Sequence, residues 1–147
     1  MDRITASVIL LAALLAATPA PAQEPGPHAQ IRSLLQAVNE SFAARDAAAL
    51  SRLFAPHGDF RAGAELHATT AAALDDFFNR RPAWSETTLP RIGGETIHFV
   101  TPGIALVEAV QVQYGSLILR QSTPVLMLLR NNGTAWRIVS LRIFQPL

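Results

Sequence analysis

The chain has 147 residues, no cysteine and a formal net charge of +1 at neutral pH. This near balance of charge lacks the basic surplus of nucleic-acid-binding domains, and the absence of cysteine excludes disulfides, thiolate catalysis and cysteine-ligated metals. All 12 basic residues are arginine, which is typical of GC-rich coding and indicates a bacterial source.

The first 22 residues have the order of a secretory signal peptide. Asp2 and Arg3 precede an apolar stretch over residues 4–17, and small residues and prolines follow up to Ala22. A bilayer span needs about 20 apolar residues, so this stretch is too short for a membrane anchor and predicts cleavage after Ala22. We therefore expect a periplasmic or secreted protein with a polar tether over residues 23–28 and a single domain over residues 29–147.

Three helices are predicted in the first half of that domain. Apolar residues recur at helical spacing over residues 29–42, which gives one face to a core. Asp46 precedes a second apolar run over residues 47–54 and is placed to cap its free amides. Thr69 or Thr70 is placed to cap a third helix.

The rest of the domain predicts strands. Residues 59–62 and 65–67 read as a short hairpin, and four longer runs alternate apolar and polar residues. Those four runs are residues 91–100, 104–113, 117–130 and 135–144, with turn signals between them. Helices that precede strands in this way indicate an α+β fold, in which three helices cover one face of a curved antiparallel sheet.

Two local motifs carry a family resemblance. Ala44-Arg45-Asp46 is followed by Ala49-Leu50 and Leu53-Phe54-Ala55, and Trp136-Arg137-Ile138-Val139 opens the last predicted strand. With the element order α-α-β-β-α-β-β-β-β, they resemble the nuclear-transport-factor-2-like superfamily, which includes ketosteroid isomerases and SnoaL-like cyclases. The resemblance implies a cone-shaped domain whose internal pocket holds a small, often apolar molecule. It also implies a homodimer through the outer face of the sheet.

The catalytic groups of ketosteroid isomerases are absent at the matching positions. The resemblance puts the general-base aspartate near Ala62, the oxyanion-hole tyrosine near Val38 and the oxyanion-hole aspartate near Val125. Proton transfer by that set of groups is therefore not predicted. Asp59 lies close to Ala62 in the sequence and stays a candidate base.

A cross-strand row offers a second candidate for acid–base chemistry. The predicted turns would align Thr96, Glu108, Ser122 and Arg142 in one row on one face of the sheet. Apolar neighbours raise the pKa of a carboxylate towards neutrality, where it can act as an acid or a base, whereas a paired arginine lowers that pKa again. The alternative interpretation is that this face is the outer, dimerising one and that Glu108 and Arg142 are ordinary surface or interface charges.

The interpretation that Glu108 and Arg142 lie on the outer face follows from the resemblance, which puts Leu141 and Ile143 in the pocket. Alternation along a strand then turns Arg142 away from the pocket. The pocket wall would be apolar with a few neutral hydrogen-bonding groups, which suits ligand binding better than acid–base catalysis. The expected wall also includes Gln113, Thr123 and Val139, and the expected ligand contacts are Phe60, Phe78, Gln111, Gln121, Val125, Leu141 and Ile143.

The leading hypothesis is an exported, dimeric domain that binds a small organic molecule, with no nucleic acid, metal or cofactor. His57, His67 and His98 lack the spacing of a metal site. One alternative is a cofactor-independent isomerase, cyclase or dehydratase that uses Glu108 or Asp59 as base, with Arg142 or a histidine assisting. A second alternative is a non-catalytic structural or accessory dimer module.

Overall fold

The computed structural model describes residues 25–83, 89–114 and 120–144. The predicted signal peptide and its cleavage site lie outside these residues. Gln121 belongs to a described strand, but its side chain is outside the description. Its predicted ligand contact therefore stays a prediction.

Three helices are present in the described ranges: α1 Pro27–Ala44, α2 Ala47–Leu53 and α3 Ala71–Asn79. Helix α1 begins two residues before the predicted start, because the fixed φ of proline suits the first helical position. The predicted tether therefore ends before Pro27. Asp46 caps α2, as predicted, by accepting a hydrogen bond of 2.8 Å from the amide of Ala49. Thr70 caps α3 through the amide of Ala73 at 3.3 Å.

Six strands are placed within the same ranges: β1 Phe54–Ala62, β2 Glu65–Ala68, β3 Arg91–Thr101, β4 Ile104–Tyr114, β5 Arg120–Asn131 and β6 Trp136–Ile143. They form one sheet in the order β2-β1-β6-β5-β4-β3. The last four strands make the predicted antiparallel meander. The sheet as a whole is mixed rather than antiparallel, since β6 returns beside β1 in the same direction.

Strand β1 begins earlier than predicted and is irregular. Phe54 pairs with Ile138, but the next pair is Asp59 with Ser140, so residues 55–58 form a bulge opposite Val139. His57 adopts a φ of 61° in this bulge. The predicted second helix therefore ends one residue early, at Leu53, and the chain enters the sheet at once.

The strand register corrects the predicted cross-strand row. Thr96 pairs with Glu108 as predicted, but Glu108 pairs with Leu126 rather than Ser122, and Leu126 pairs with Arg142. Both hairpins turn later than predicted, since pairing continues to the Tyr114–Arg120 and Asn131–Trp136 pairs. The shift is four residues for both pairs of this row, an even number, so Glu108 and Arg142 keep their predicted face. The register changes by one residue between Leu128 and Leu129, opposite Val139 of β6, and Ile138 rather than the predicted Val139 is buried in the core.

The helices cover one face of the sheet, which we call the inner face, and the core lies between the two layers. One row of side chains crosses this face from β3 to β2, and each member is paired with the next: Ile97, Val107, Met127, Leu141, Phe60 and His67. All of them are buried except Ile97, which is half-buried. The opposite face is called the outer face. Among the described residues, no helix is long and apolar enough to cross a membrane.

Candidate functional site

The deep part of the cone is packed with protein side chains. Five of the predicted ligand contacts lie in the core and are between 0% and 7% exposed: Phe60, Phe78, Val125, Leu141 and Ile143. Val38 and Ala62, at positions that match isomerase catalytic groups, are buried as well. Because a void that admitted water would expose these side chains, the space against them is filled.

On the inner face, side chains become less buried towards the end of β4 and the start of β5. Buried Val107 and Ala109 are followed on the same face of β4 by Gln111 and Gln113, which are half-buried. Thr123 of β5 is also half-buried and pairs directly with Gln111. We call Gln111, Gln113 and Thr123 the mouth strip. Its neutral side chains can donate and accept hydrogen bonds next to the apolar core.

The row below the mouth strip leads to the opposite edge of the sheet. Ala109, Val125, Ile143 and Ala62 pair in succession, and Ala62 pairs with Glu65 of β2. Residues directly opposite each other in a sheet share a face. Glu65 is therefore on the inner face, at the level where the core meets solvent.

The three candidate catalytic residues lie on the outer face. The Glu108 side chain is 62% exposed, and its Oε2 lies 3.1 Å from His98 Nε2. Arg142 pairs instead with Asp59, at 3.3 Å between Nη2 and Oδ2, and Ser140 donates to Asp59 Oδ1 at 2.5 Å. The predicted Glu108–Arg142 pair is absent because Leu126 stands between them in the sheet. None of these groups faces the core.

His67, which the sequence analysis weighed only as a metal ligand, is a buried polar side chain of the inner face. Its side chain is 6% exposed, and its ring lies 4.8 Å from the ring of Phe77 and 5.5 Å from that of Phe60. Nε2 is buried without a hydrogen-bond partner, although Glu65 Oε2 is only 3.4 Å away. The distance is that of an ion pair and is long for a hydrogen bond, so Glu65 satisfies Nε2 poorly.

The electrostatic surroundings keep the imidazole of His67 neutral. Burial of the ring is the main cause that lowers its pKa below the ordinary value of 6.5. The Glu65 carboxylate opposes this change, and the charge of Arg81 adds to it. The Arg81 guanidinium lies 3.8 Å from the centroid of Phe77, a cation–π contact that holds its charge next to the histidine.

A sequence signal for His67 existed in the alternation of β2. Glu65 and His67 are two residues apart in a strand, so they share a face, and the partner strand puts Phe60 on that face. Phe77 of α3 packs on this face and buries it. The sequence alone does not show this contact, because α3 and β2 meet only in the folded structure.

The histidines do not converge. His67 lies on β2 and His98 on β3, which are the opposite edges of the sheet, and His57 lies in the β1 bulge. Over the described ranges, no group of three or more acidic or histidine side chains could hold a metal ion.

The fold has many structural relatives. No family model matches the chain, and no curated protein does. A cystatin-like protein of unknown function from Nostoc punctiforme superposes with a TM-score of 0.65 at 15% identity, covering 80% of this chain and 89% of that one. An NTF-2 like protein of unknown function from Shewanella oneidensis gives 0.62 at 14% identity, covering 82% and 100%.

A proposed scytalone dehydratase from Novosphingobium aromaticivorans gives a TM-score of 0.61 at 14% identity, covering 80% of this chain and 84% of that one. At such identities the likeness concerns the fold alone. The chain has the α+β cone fold of the nuclear-transport-factor-2-like proteins, which agrees with the resemblance seen in the sequence.

Proposed function

We propose that this nuclear-transport-factor-2-like domain binds a small, largely apolar organic molecule at the mouth of its cone. The observation that carries the proposal is the change in burial along the inner face. Val107 and Met127 are 0% exposed, whereas Gln111 and Thr123, four residues away on the same strands, are half-buried. A ligand here would lie on an apolar floor with neutral hydrogen-bonding groups at its side, which is the usual composition of such sites.

The packed interior favours a shallow site over a deep one. Val125 and Ile143 form the floor below the mouth strip and are 2% and 7% exposed. Enlarging a floor residue would disturb the core, so the test belongs on the mouth strip. Thr123→Trp adds bulk to the inner face of β5, and Ser33→Trp adds the same bulk to the exposed side of α1.

Native mass spectrometry of the purified protein, followed by denaturation, would detect a co-purified molecule without a guess about its identity. We expect a reproducible small molecule in the wild-type protein and in Ser33→Trp, with occupancy reduced at least severalfold in Thr123→Trp. Equal occupancy in the two variants would contradict a site at the mouth. An empty wild-type protein that also fails to bind apolar probes would contradict ligand binding altogether.

A catalytic function gains no support from the candidates that the sequence singled out. Glu108 and Asp59 are on the outer face, away from the mouth strip, and Asp59 is held by Ser140 and Arg142. An isomerase, cyclase or dehydratase would have to use other groups of this chain. The fold of the dehydratase relative does not change this, because fold alone does not specify chemistry.

A second candidate function, an accessory dimer module, is favoured by the charges of the outer face. Glu108 and Arg142 lie in one row on β4 and β6, with Leu126 of β5 between them. If a two-fold axis ran along β5 between two facing sheets, Glu108 of each copy would face Arg142 of the other. Such an interface is self-complementary, as a two-fold interface must be.

Apolar side chains lie between these charges. Val110 is 37% exposed, Leu128 36% and Phe144 47%. A homodimer through this face would bury them, and ligand binding at the mouth is compatible with it because the two faces are opposite. We propose this dimer as the assembly that carries the site.

Export to the periplasm or the medium remains a proposal from the sequence order of residues 1–22. The intact mass of protein recovered from a periplasmic fraction tests it. Loss of residues 1–22 is the expected result, and a mass that retains the apolar stretch would contradict cleavage.

A further inference from the structure

A cleft lies at the end of the sheet that is opposite to the mouth strip. It has a volume of about 500 Å³ and is formed where the first half of α1, the end of α2 and the start of β6 meet. Trp136 in its wall pairs with Asn131, the last residue of β5, whereas Thr123 of the mouth strip is near the first. We call it the α1–β6 cleft, and it is separate from the site at the mouth.

Much of the wall of the α1–β6 cleft is apolar. Its apolar residues are Pro25, Leu34, Ala37, Leu53 and Ala135, and no acidic side chain is among the described residues that line it. Two polar residues of the wall already donate within the chain. Gln30 donates to the carbonyl oxygen of Pro25 at 2.8 Å, and Ser33 donates to that of Ala29 at 3.0 Å. The strongest remaining donors of the wall are therefore Arg137 and Trp136.

Arg137 brings a positive charge that no acidic group compensates. It is half-buried, and its Nη1 donates to the carbonyl oxygen of Trp136 at 3.4 Å, which is long for a hydrogen bond. Arg130 stands directly opposite it on β5, and like charges in this position destabilise a sheet. Neither guanidinium forms an ion pair with a carboxylate of the described residues. A bound anion would compensate both charges.

The indole of Trp136 adds an unsatisfied donor to the same wall. The residue is 3% exposed, and its Nε1 is buried without a hydrogen-bond partner in the described part of the chain. A buried tryptophan usually finds an acceptor for this N–H, because the group has lost its hydration. An acceptor that reached the edge of the indole would remove this penalty.

The amino end of α1 makes the cleft more positive. The dipole of a helix is positive at this end. The first turn of α1 carries no acidic side chain, and no side chain caps it. The helix end, the guanidinium and the indole N–H therefore all favour negative charge in the same place.

We propose that the α1–β6 cleft binds a second ligand, a small organic molecule with one carboxylate and an apolar body. Arg137 binds the carboxylate, because the planar guanidinium matches its two oxygens. The apolar body lies against Leu34 and Leu53, which gives the organic anion an advantage over an inorganic one. One uncompensated arginine in the wall suits a monocarboxylate better than a dianion. This ligand differs in charge and in place from the uncharged molecule proposed for the mouth.

Three probes with one chain length test the proposal: octanoate, octan-1-ol and octylammonium. Titration calorimetry with wild-type protein should show octanoate binding at least about tenfold more tightly than the alcohol, since hydrogen bonds to charged groups are stronger than neutral ones. Octylammonium should bind most weakly, because Arg137 repels it. An alcohol that binds as tightly as octanoate would overturn the carboxylate class.

Matched variants locate the binding of octanoate. Arg137→Gln should weaken it at least about tenfold and remove the preference over the alcohol, whereas Arg91→Gln, at an exposed arginine outside the cleft, should not change it. Ser33→Trp narrows the cleft and should weaken binding, and Thr123→Trp should leave it intact. Loss of binding in Thr123→Trp alone would put the anion at the mouth and overturn the proposal.

A spectroscopic measurement does not depend on the folding of the Arg137 variant. The chain has two tryptophans, so Trp84→Phe protein gives a single indole N–H signal, that of Trp136. Octanoate should shift this signal in proton–nitrogen spectra, and octan-1-ol should leave it in place. An unchanged signal at saturating octanoate would overturn binding in this cleft. Failure of octanoate to bind at all would overturn it as well, without bearing on the uncharged ligand of the mouth.

Discussion

The imidazole of His67 is buried between the rings of Phe60 and Phe77, and protonation would put a charge into this apolar contact. Burial lowers the pKa of His67 below 6.5, its ordinary value and therefore the value expected in the unfolded chain. On α3, Arg80 and Arg81 lower the pKa further, and Asp76 opposes them. The neutral imidazole is thus the form that the fold stabilises.

The free energy of unfolding should consequently decrease as the pH falls below about 6.5, because the unfolded chain then binds a proton that the folded chain refuses. Stability from this source is fully present above that pH and is lost towards the lower pKa of the folded state. Urea unfolding at several pH values between about 7.5 and 5.5 measures the slope. His67→Gln should reduce the slope, and an unchanged slope in this variant would contradict the assignment to His67.

Gly58 lies in the β1 bulge, where neighbouring backbone leaves little room for a side chain. A Cβ atom there would lie 3.0 Å from the carbonyl oxygens of Ala55 and Ile138, distances at which backbone must shift. We expect Gly58→Ala to destabilise the protein by about 1–3 kcal/mol, the range for overpacking a tight site. Chemical denaturation measures this. Gly103→Ala, with no atom within 4 Å of the added carbon, is the matched control and should change stability little.

At the scale of elements, one side chain joins the first helix to the edge of the sheet. Asn39 of α1 donates from Nδ2 to the carbonyl oxygen of Ile92 at 2.8 Å and accepts from the amide of Ile92 at 2.8 Å. Because β3 is an edge strand, this amide group takes the place of a neighbouring strand at that position.

Replacing Asn39 by alanine should leave both backbone groups of Ile92 without a partner. The expected loss of stability is about 1–3 kcal/mol, and hydrogen exchange at the Ile92 amide should accelerate. Gln36→Ala removes a hydrogen bond between two exposed side chains of α1, and its effect should stay within about 0.5 kcal/mol. Unchanged exchange at Ile92 in the Asn39 variant would contradict the role assigned here.

The sequence predicted the boundaries of those elements whose ends are set by residues close by in the chain. The caps at Asp46 and Thr70 and the period-two runs of β3 and β4 were readable because they depend on nearby residues. The register of two hairpins was not readable. The β4–β5 pairing is off by four residues, and the β5–β6 pairing is off by three next to the turn and by four beyond the register change. Turn propensity indicates that a turn exists, whereas its exact centre depends on which residues the inner face buries.

At the scale of the whole molecule, the proposed dimer makes a prediction about assembly. Leu128 is 36% exposed on the outer face of β5, next to the proposed two-fold axis. Leu128→Glu would put two like charges near each other across that axis, so we expect a monomer by sedimentation analysis where the wild type is a dimer. Ser33→Glu, on the exposed face of α1, should leave the dimer intact. A wild-type protein that sediments as a monomer would contradict the interface.

The α+β class, the order of helices and strands and the apolar face of the helices were determined by the sequence alone. They follow from hydrophobic period and from turn and cap residues, which act over a few positions. The sequence also determined that no disulfide or cysteine-ligated metal supports this protein.

The tertiary structure alone decided which side chains meet. It put Glu108 and Asp59 on the outer face with separate partners, packed Phe60 and Phe78 into the core, and buried His67 beside Glu65 under α3. It also set β1 parallel to β6. These contacts join residues far apart in the chain, so their register and burial depend on the packing of the whole fold rather than on any local pattern.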